Sequence, residues 1–322
     1  GDGDNYIYNA FAYYDSEGNF VAKNDNPNKS TGSTVISGSG NDTIANQGIN
    51  NGNIDAGEGD NYIGLYHSYN NTITSGSGAD SVIVSKGSSI NVYTGDGNDS
   101  IIGRLGEIED DDWTFGGYAT IDAGAGDDYI APLYSDNSSI FGGADADKLI
   151  NSGNYVTIEG GTGKDKLYGN LGSDTFVYSV KTGSGDEIYS LDGSQGDEII
   201  LLGYSKDTIN TSDSKQFTDN GKDINLIFDG TKLVIKNPTG QLNVYKGSLD
   251  DDGNIVKGDA VLSYDQNLPE GLDYNVGKTT LTFKSSIDGG TDDYTVDASV
   301  KDAYSVKLTT IDASIYGGAV EL

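Results

Sequence analysis

GSGNDTI (Gly38 to Ile44), GEGDNYI (Gly57 to Ile63), GSGADSV (Gly76 to Val82) and GDGNDSI (Gly95 to Ile101) are four versions of one heptapeptide, and their first glycines stand 19 residues apart. After one insertion the pattern returns as GAGDDYI (Gly124 to Ile130), GADADKL (Gly143 to Leu149) and GTGKDKL (Gly161 to Leu167), at strides of 19 and 18. A fixed stride marks a stacked-coil architecture in which each coil lies on the one before. It places the acidic side chain of each turn directly above its predecessor. Carboxylates stacked in that way repel one another at neutral pH unless something positive lies between them.

Counting from the first glycine of each loop extends the pattern outward. The residue three before it reads Val35, Ile54, Ile73, Val92, Ile121, Ile140 and Ile158; the residue six after it reads Ile44, Ile63, Val82, Ile101, Ile130, Leu149 and Leu167. These are two ladders of mostly β-branched residues, which suit a pleated, stacked surface. Each coil is therefore expected to hold two short strands, one entering and one leaving the Gly-Asp turn, around a thin core. The expected class is all-β, a parallel β-roll or β-solenoid. The far edge of each coil reads as Gly, Asn and Ser turns without the acidic pattern: Asn46 to Asn51, His67 to Asn71, Lys86 to Ser89 and Ser135 to Ser139. The acidic loops are thus expected mainly on one edge.

The chemistry of those loops points to calcium, a hard cation that takes six to eight oxygen ligands. A Gly-x-Gly stretch leaves carbonyls unshielded and permits the positive φ of a tight turn. The glycines in question are Gly38 and Gly40, Gly57 and Gly59, Gly76 and Gly78, Gly95 and Gly97, Gly124 and Gly126, Gly143, and Gly161 and Gly163. One Asp per loop supplies charge, so an ion between two successive loops would collect a carboxylate from each.

The array resembles the nonapeptide Gly-Gly-x-Gly-x-Asp-x-U-x of the RTX (repeats-in-toxin), hemolysin-type calcium-binding proteins. The seven loops carry the resemblance, together with GNLGSDTF (Gly169 to Phe176) and the opening GDGDNYI (Gly1 to Ile7), so it covers about residues 1–200. It implies a right-handed parallel β-roll, secretion by a Gram-negative-type route and folding coupled to calcium. Carried over residue by residue, it implies Asp42, Asp80, Asp99, Asp128, Asp147, Asp165 and Asp174 as ligands of about six or more ions. Asn61 and Asn5 hold the Asp position in their loops, so those sites are expected to bind more weakly, with Asp60 or Asp4 one residue earlier to compensate in part. Asp145 replaces the second glycine of its loop.

Composition agrees with that class. Lys and Arg total 19 against 50 Asp and Glu, a formal charge of −31, which argues against nucleic-acid and anionic-membrane partners. Such acidity can mean disorder, but 22 Tyr and the regular β-branched ladders argue otherwise. With no Cys and no Met there are no disulfides, zinc-thiolate sites or thiol nucleophiles, and bound metal is the natural substitute for cross-links. No apolar run of membrane-spanning length and no signal peptide is visible. The chain opens inside a repeat, which reads as a segment of something longer.

Two insertions break the stride. Phe11 to Ala22 is expected to form a small hairpin. Arg104 to Gly117 carries the only Trp, Trp113, with Leu105, Ile108 and Phe115 beside the acidic run Glu107 to Asp112, and is the candidate surface for self-association or a cell-surface partner. Past residue 200, Asp223 to Phe228, Lys232 to Lys236 and Leu242 to Lys246 read as strands split by turns at Asp229-Gly230 and Pro238-Thr239-Gly240. They are expected to cap the roll. The expected division is 1–200 for the roll, 201–258 for the cap and 259–322 for a further β segment. There, Leu308 to Ser314 echoes Ala119 to Gly124, with Val296 to Ser299 upstream, as if a second solenoid began.

An enzyme is not expected. His67, the only histidine, reads as an exposed turn residue, and one histidine cannot build a two-histidine metal site. A polar ladder (Thr34, Asn53, Thr72, Asn91, Thr120, Ser139, Thr157) faces outward, but its neighbours are too irregular for a flat ice-binding plane. The expected role is a calcium-binding structural or adhesive segment of a large secreted bacterial surface protein: an adhesin, surface-layer or filament subunit. The alternative is the C-terminal secretion and folding module of an RTX hydrolase or toxin.

Overall fold

A computed structural model describes residues 2–9, 12–14, 20–22, 30–47, 49–66, 68–85, 89–103, 118–133, 135–183, 185–265, 272–273, 280–284 and 293–297. Among the described residues there is no helix, so none is long and apolar enough to cross a membrane. The chain winds into parallel coils, about eight turns of a β-solenoid matching a right-handed parallel β-roll.

Two long sheets form the flanks, one of 12 strands and one of 11. In the first, the strands leaving the Gly-Asp turns stack in register, so that Ile44, Ile63, Val82, Ile101, Ile130, Leu149, Leu167, Ile188 and Ile235 form one column. In the second, the entering strands align Val35, Ile54, Ile73, Val92, Ile121, Ile140, Ile158, Phe176, Ile199 and Val244. Nearly all of these are buried, Val35 only in part, and both columns belong to one continuous hydrophobic cluster. A β-branched residue fills such a column well because its stiff χ1 matches the pleat. The outward ladder Thr34 to Thr157 runs beside the second column, half-buried or exposed along its length.

The edge without acidic loops turns through residues in the left-handed region: Asn51 (φ 53°), Asn70 (φ 54°), Ser89 (φ 54°) and Asn137 (φ 54°). Asn tolerates that region because its short polar side chain bonds locally. His67 and Arg104 to Gly117 lie outside the described residues. The expected hairpin at 11–22 is present as Ala12–Tyr14 paired antiparallel with Phe20–Ala22.

Each flank ends in an antiparallel hairpin. Thr231–Lys236 adds in parallel to Glu187–Tyr189, then pairs antiparallel with Ile224–Phe228, which pairs with Phe217–Asp219. Asp229 (φ 46°) and Gly230 (φ 92°) make the tight turn, both in the positive-φ region that a two-residue hairpin loop requires. Leu242–Leu249 adds to Glu198–Leu202 and pairs antiparallel with Ile255–Tyr264. The expected cap strands are therefore present, but they continue the sheets of the coils rather than forming a separate body. One compact unit runs from Gly1 to Asn267.

The second compact unit is Leu268 to Leu322. Its described strands, Leu272–Asp273, Thr280–Lys284 and Asp293–Asp297, form a three-stranded antiparallel sheet. The Leu308 to Ser314 segment lies outside the described residues.

Candidate metal centre

The Gly-Asp turns stack so closely that glycine is obligatory. A Cβ on Gly57 (φ +76°) would run into the Gly38 carbonyl, and one on Gly97 (φ +142°) into the Gly78 carbonyl. The paired glycines from Gly59 to Gly163 repeat this contact with the coil before, and among them Asp145 accepts a positive φ (78°) in a glycine's place. The turns thus form a wall of backbone carbonyls.

Behind that wall runs a column of side chains that reach back one coil. Asp42 N–H donates to Asn61 Oδ1 (3.0 Å), Asn61 N–H to Asp80 Oδ1 (2.8 Å), Asp80 N–H to Asp99 Oδ1 (2.8 Å) and Asp99 N–H to Asp128 Oδ1 (2.7 Å). The series continues from Asp128 to Asp147 (2.9 Å), from Asp147 to Asp165 (2.9 Å) and from Asp165 to Asp186 (3.2 Å). At the start, Asn5 N–H donates to Asp42 Oδ1 (2.6 Å). Asp42 to Asp165 are buried, at most 3% exposed. Sequence places these side chains on the turn; the structure turns them inward, one hydrogen bond per coil.

Only Oδ1 is used. The Oδ2 atoms of Asp42, Asp80, Asp99, Asp128, Asp147 and Asp165 are buried without a protein hydrogen-bond partner. Ser37, Ser75 and Thr94 stand beside the first three carboxylates and favour their charged forms. Yet these hydroxyls donate to next-coil carbonyls: Ser37 to Ala56 O (2.8 Å), Ser75 to Thr94 O (3.3 Å) and Thr94 to Ala123 O (2.8 Å). Later in the column Gly142 and Gly160 replace these residues, and a Cβ there would strike Asp147 Oδ2 and Asp165 Oδ2 respectively. At these two rungs the carboxylate oxygen points into space that a Cβ would fill.

Burial pushes these acids upward: Asp80 to about 6, Asp128 to about 7 and Asp147 to about 8, with Asp99 and Asp165 also raised. Neighbouring carboxylates add to the effect at Asp80, Asp128 and Asp147, against the hydrogen bond each accepts. Asp42 differs. Burial raises it too, but the Ser37 hydroxyl beside it and hydrogen bonds from the backbone and side chain of Asn5 outweigh that and hold it low.

A divalent cation fits this arrangement chemically. Each of the six rungs at Asp42, Asp80, Asp99, Asp128, Asp147 and Asp165 offers one carboxylate oxygen with no donor, beside stacked glycine carbonyls, and a hard ion accepts both kinds of ligand. Among the described residues no group of three or more His, Asp or Glu side chains converges, so carbonyls would supply most of the ligands.

Two expected ligands are placed differently. Asp174 belongs to the opposite edge, where its Oδ1 accepts from Val156 N–H (3.0 Å) and its Oδ2 from the Asn151 amide (3.3 Å). Asn61 sits in the column but presents an amide, not an oxygen, to the carbonyls. Its Nδ2 donates to Gly59 O (2.8 Å), Gly57 O (3.2 Å) and Ser75 O (3.2 Å). Asp60, expected to compensate for Asn61, is exposed and reaches forward instead, accepting from Ala79 N–H (2.8 Å). Asn41, Asn98 and Asp127 do the same for Asp60, Asp127 and Ala146, so adjacent positions clamp the coil from both sides.

Sequence reading missed Asp186 and Asp197. Both are buried, and Asp197 Oδ1 accepts from Asp174 N–H (2.8 Å) while its Oδ2 accepts from Asp192 N–H (2.8 Å). The signal was a repeated Gly-Asp-Glu-Ile, at 185–188 and 196–199, outside the regular stride. The small column Ser37, Ala56, Ser75, Thr94, Ala123, Gly142, Gly160 was also legible, as an unbroken run of small residues just before each first glycine. No protein-family model and no curated protein matches the chain.

Proposed function

We propose that this chain is a calcium-binding structural or adhesive segment of a large secreted bacterial surface protein, and that its coils close when the ions bind. The observation that carries the calcium reading is the column of six buried carboxylate oxygens that lack a hydrogen-bond donor. Left charged and unpaired, each would cost several kcal/mol on the scale of buried ions. A cation between carboxylate and carbonyls removes that cost and links adjacent coils at the same time.

The secreted, non-enzymatic role is supported by the net charge of −31, the lack of cysteine, and the resemblance of the loops to RTX repeats. In that reading the ions take the place of disulfides in holding a thin-cored protein together.

The test is folding against free calcium. Circular dichroism should show loss of β signal in excess chelator and recovery with calcium, with magnesium a poor substitute because it demands tighter octahedral geometry. Equilibrium dialysis should return about six ions per chain, one per unpaired carboxylate. A spectrum indifferent to chelator, together with no bound calcium, would overturn the reading.

A further inference from the structure

Asn61 and the aspartates of its column are near-isosteric, and their Oδ1 atoms do the same job. They differ in the second atom. At Asn61 it is an NH2 group, which points at Gly57 O, Gly59 O and Ser75 O. At Asp80, Asp99, Asp128, Asp147 and Asp165 it is an oxygen with no donor. The amide's orientation is fixed by its surroundings. Reversing it would set the oxygen against three carbonyls and the NH2 against the Asp42 N–H, now 3.0 Å from Oδ1.

Asn5 repeats the arrangement one coil earlier. Its Nδ2 donates to Gly3 O (2.6 Å), Ser37 O (3.2 Å) and Asp42 Oδ1 (2.9 Å). Gly3 and Ser37 hold the positions that Gly59 and Ser75 hold for Asn61, so both amides meet the same carbonyl cradle. A cradle of acceptors needs something positive. An amide supplies two N–H donors; a carboxylate supplies none.

We propose that Asn5 and Asn61 are resident substitutes for the cation: their amides fill the carbonyl cradle, so these rungs close without metal and divalent ions bind only at the carboxylate rungs. This rests on the calcium reading and replaces the expectation that the Asn rungs are merely weaker calcium sites. It also gives the column a direction. Amide rungs flank Asp42 near the start, and the unbroken carboxylate run from Asp80 to Asp165 follows.

The test uses the full chain and two reciprocal substitutions. Asn61→Asp should raise the bound calcium, counted by atomic emission after equilibrium dialysis, by one ion per chain, and should lower the thermal midpoint in EDTA. Asp80→Asn should lower the count by one and raise the EDTA midpoint by a few degrees, because the new amide satisfies its rung without metal. An unchanged count in Asn61→Asp overturns the proposal, as does a lower EDTA midpoint in Asp80→Asn. If the wild-type chain binds no calcium, the function proposed above fails and the cation half of this inference fails with it. The EDTA midpoints still decide the amide half: opposite shifts in the two variants support it, and equal midpoints overturn it.

Discussion

Asp99 and Asp60 show how much depends on a shift of one residue within the turn. Asp99 is 2% exposed, holds the Asp80 N–H and aims its other oxygen inward; Asp60 is exposed and needs no partner beyond the Ala79 N–H and water. Asp99→Ala should therefore weaken calcium-driven folding far more than Asp60→Ala, read as the calcium concentration at half-folding. Equal or reversed shifts would mean that the inward column is not the metal column. Gly57 and Gly230 form a second matched pair, since both have positive φ, +76° and +92°. An alanine at Gly230 meets open space and pays only the left-handed strain, about 1–2 kcal/mol. An alanine at Gly57 must also displace the Gly38 backbone, so its denaturation midpoint should fall by at least twice as much. Similar losses at the two sites would show that the stacked turns have slack.

At the scale of the coil, the stride and the two apolar ladders were legible because periodicity in sequence becomes stacking in space. Ile44 through Leu167 stand in one column although the steps between rungs measure 19, 29 and 18 residues. What periodicity does not encode is which atom of a side chain finds a partner. Asp42 and Asn61 look alike in the repeat, yet one leaves an oxygen unpaired and the other fills three carbonyls. Asp174, nine residues after Asp165, shares the motif but lies on the other edge, satisfied by Asn151. The unpaired column also sets a pH dependence. The folded-state values of Asp80, Asp128 and Asp147 stand well above the ordinary 3.8, so the metal-free fold takes up protons. Its stability must then rise as pH falls through about 8 to about 5, and the charge penalty is in full force above that window. With calcium in excess the trend should weaken or reverse, because protons displace the ion. Asp174 and Asp186, raised to about 7, and Asp197, raised to about 6, add to the same window, so replacing Asp128 and Asp147 by Asn should shrink the rise without abolishing it. Thermal midpoints in EDTA that do not rise over that range, or a rise left unchanged by the two replacements, would refute the assignment to the column.

Across the first compact unit, the rungs with an unpaired carboxylate oxygen and the apolar packing of the cap lie at different heights. From Asp80 to Asp165 each coil contributes one or two apolar side chains per sheet and one unpaired carboxylate oxygen. After that the interior changes character. Tyr178 and Leu201 take over the column that Ser75, Thr94 and Gly160 occupy earlier, and the cap adds Phe217, Leu226, Phe228, Leu233, Val244 and Leu262 to the same cluster. Tyr178 and Tyr204 both pack against Phe228, with ring centroids 5.7 and 5.6 Å away. Asp174 and Asp197 have both oxygens hydrogen-bonded within the protein. In a stacked array, stability is a sum of local terms and neighbour interfaces, so such differences translate into separate opening of different coils. Removing calcium should therefore accelerate amide exchange in the strands between Thr72 and Tyr168 well before it does so in Thr175–Ser179, Glu198–Leu202 and the two hairpins. Hydrogen-exchange mass spectrometry across a calcium titration reads this directly. If protection is lost uniformly from the first coil to Tyr264, the unit opens as a whole, and the ions stabilise the cap as much as the carboxylate rungs.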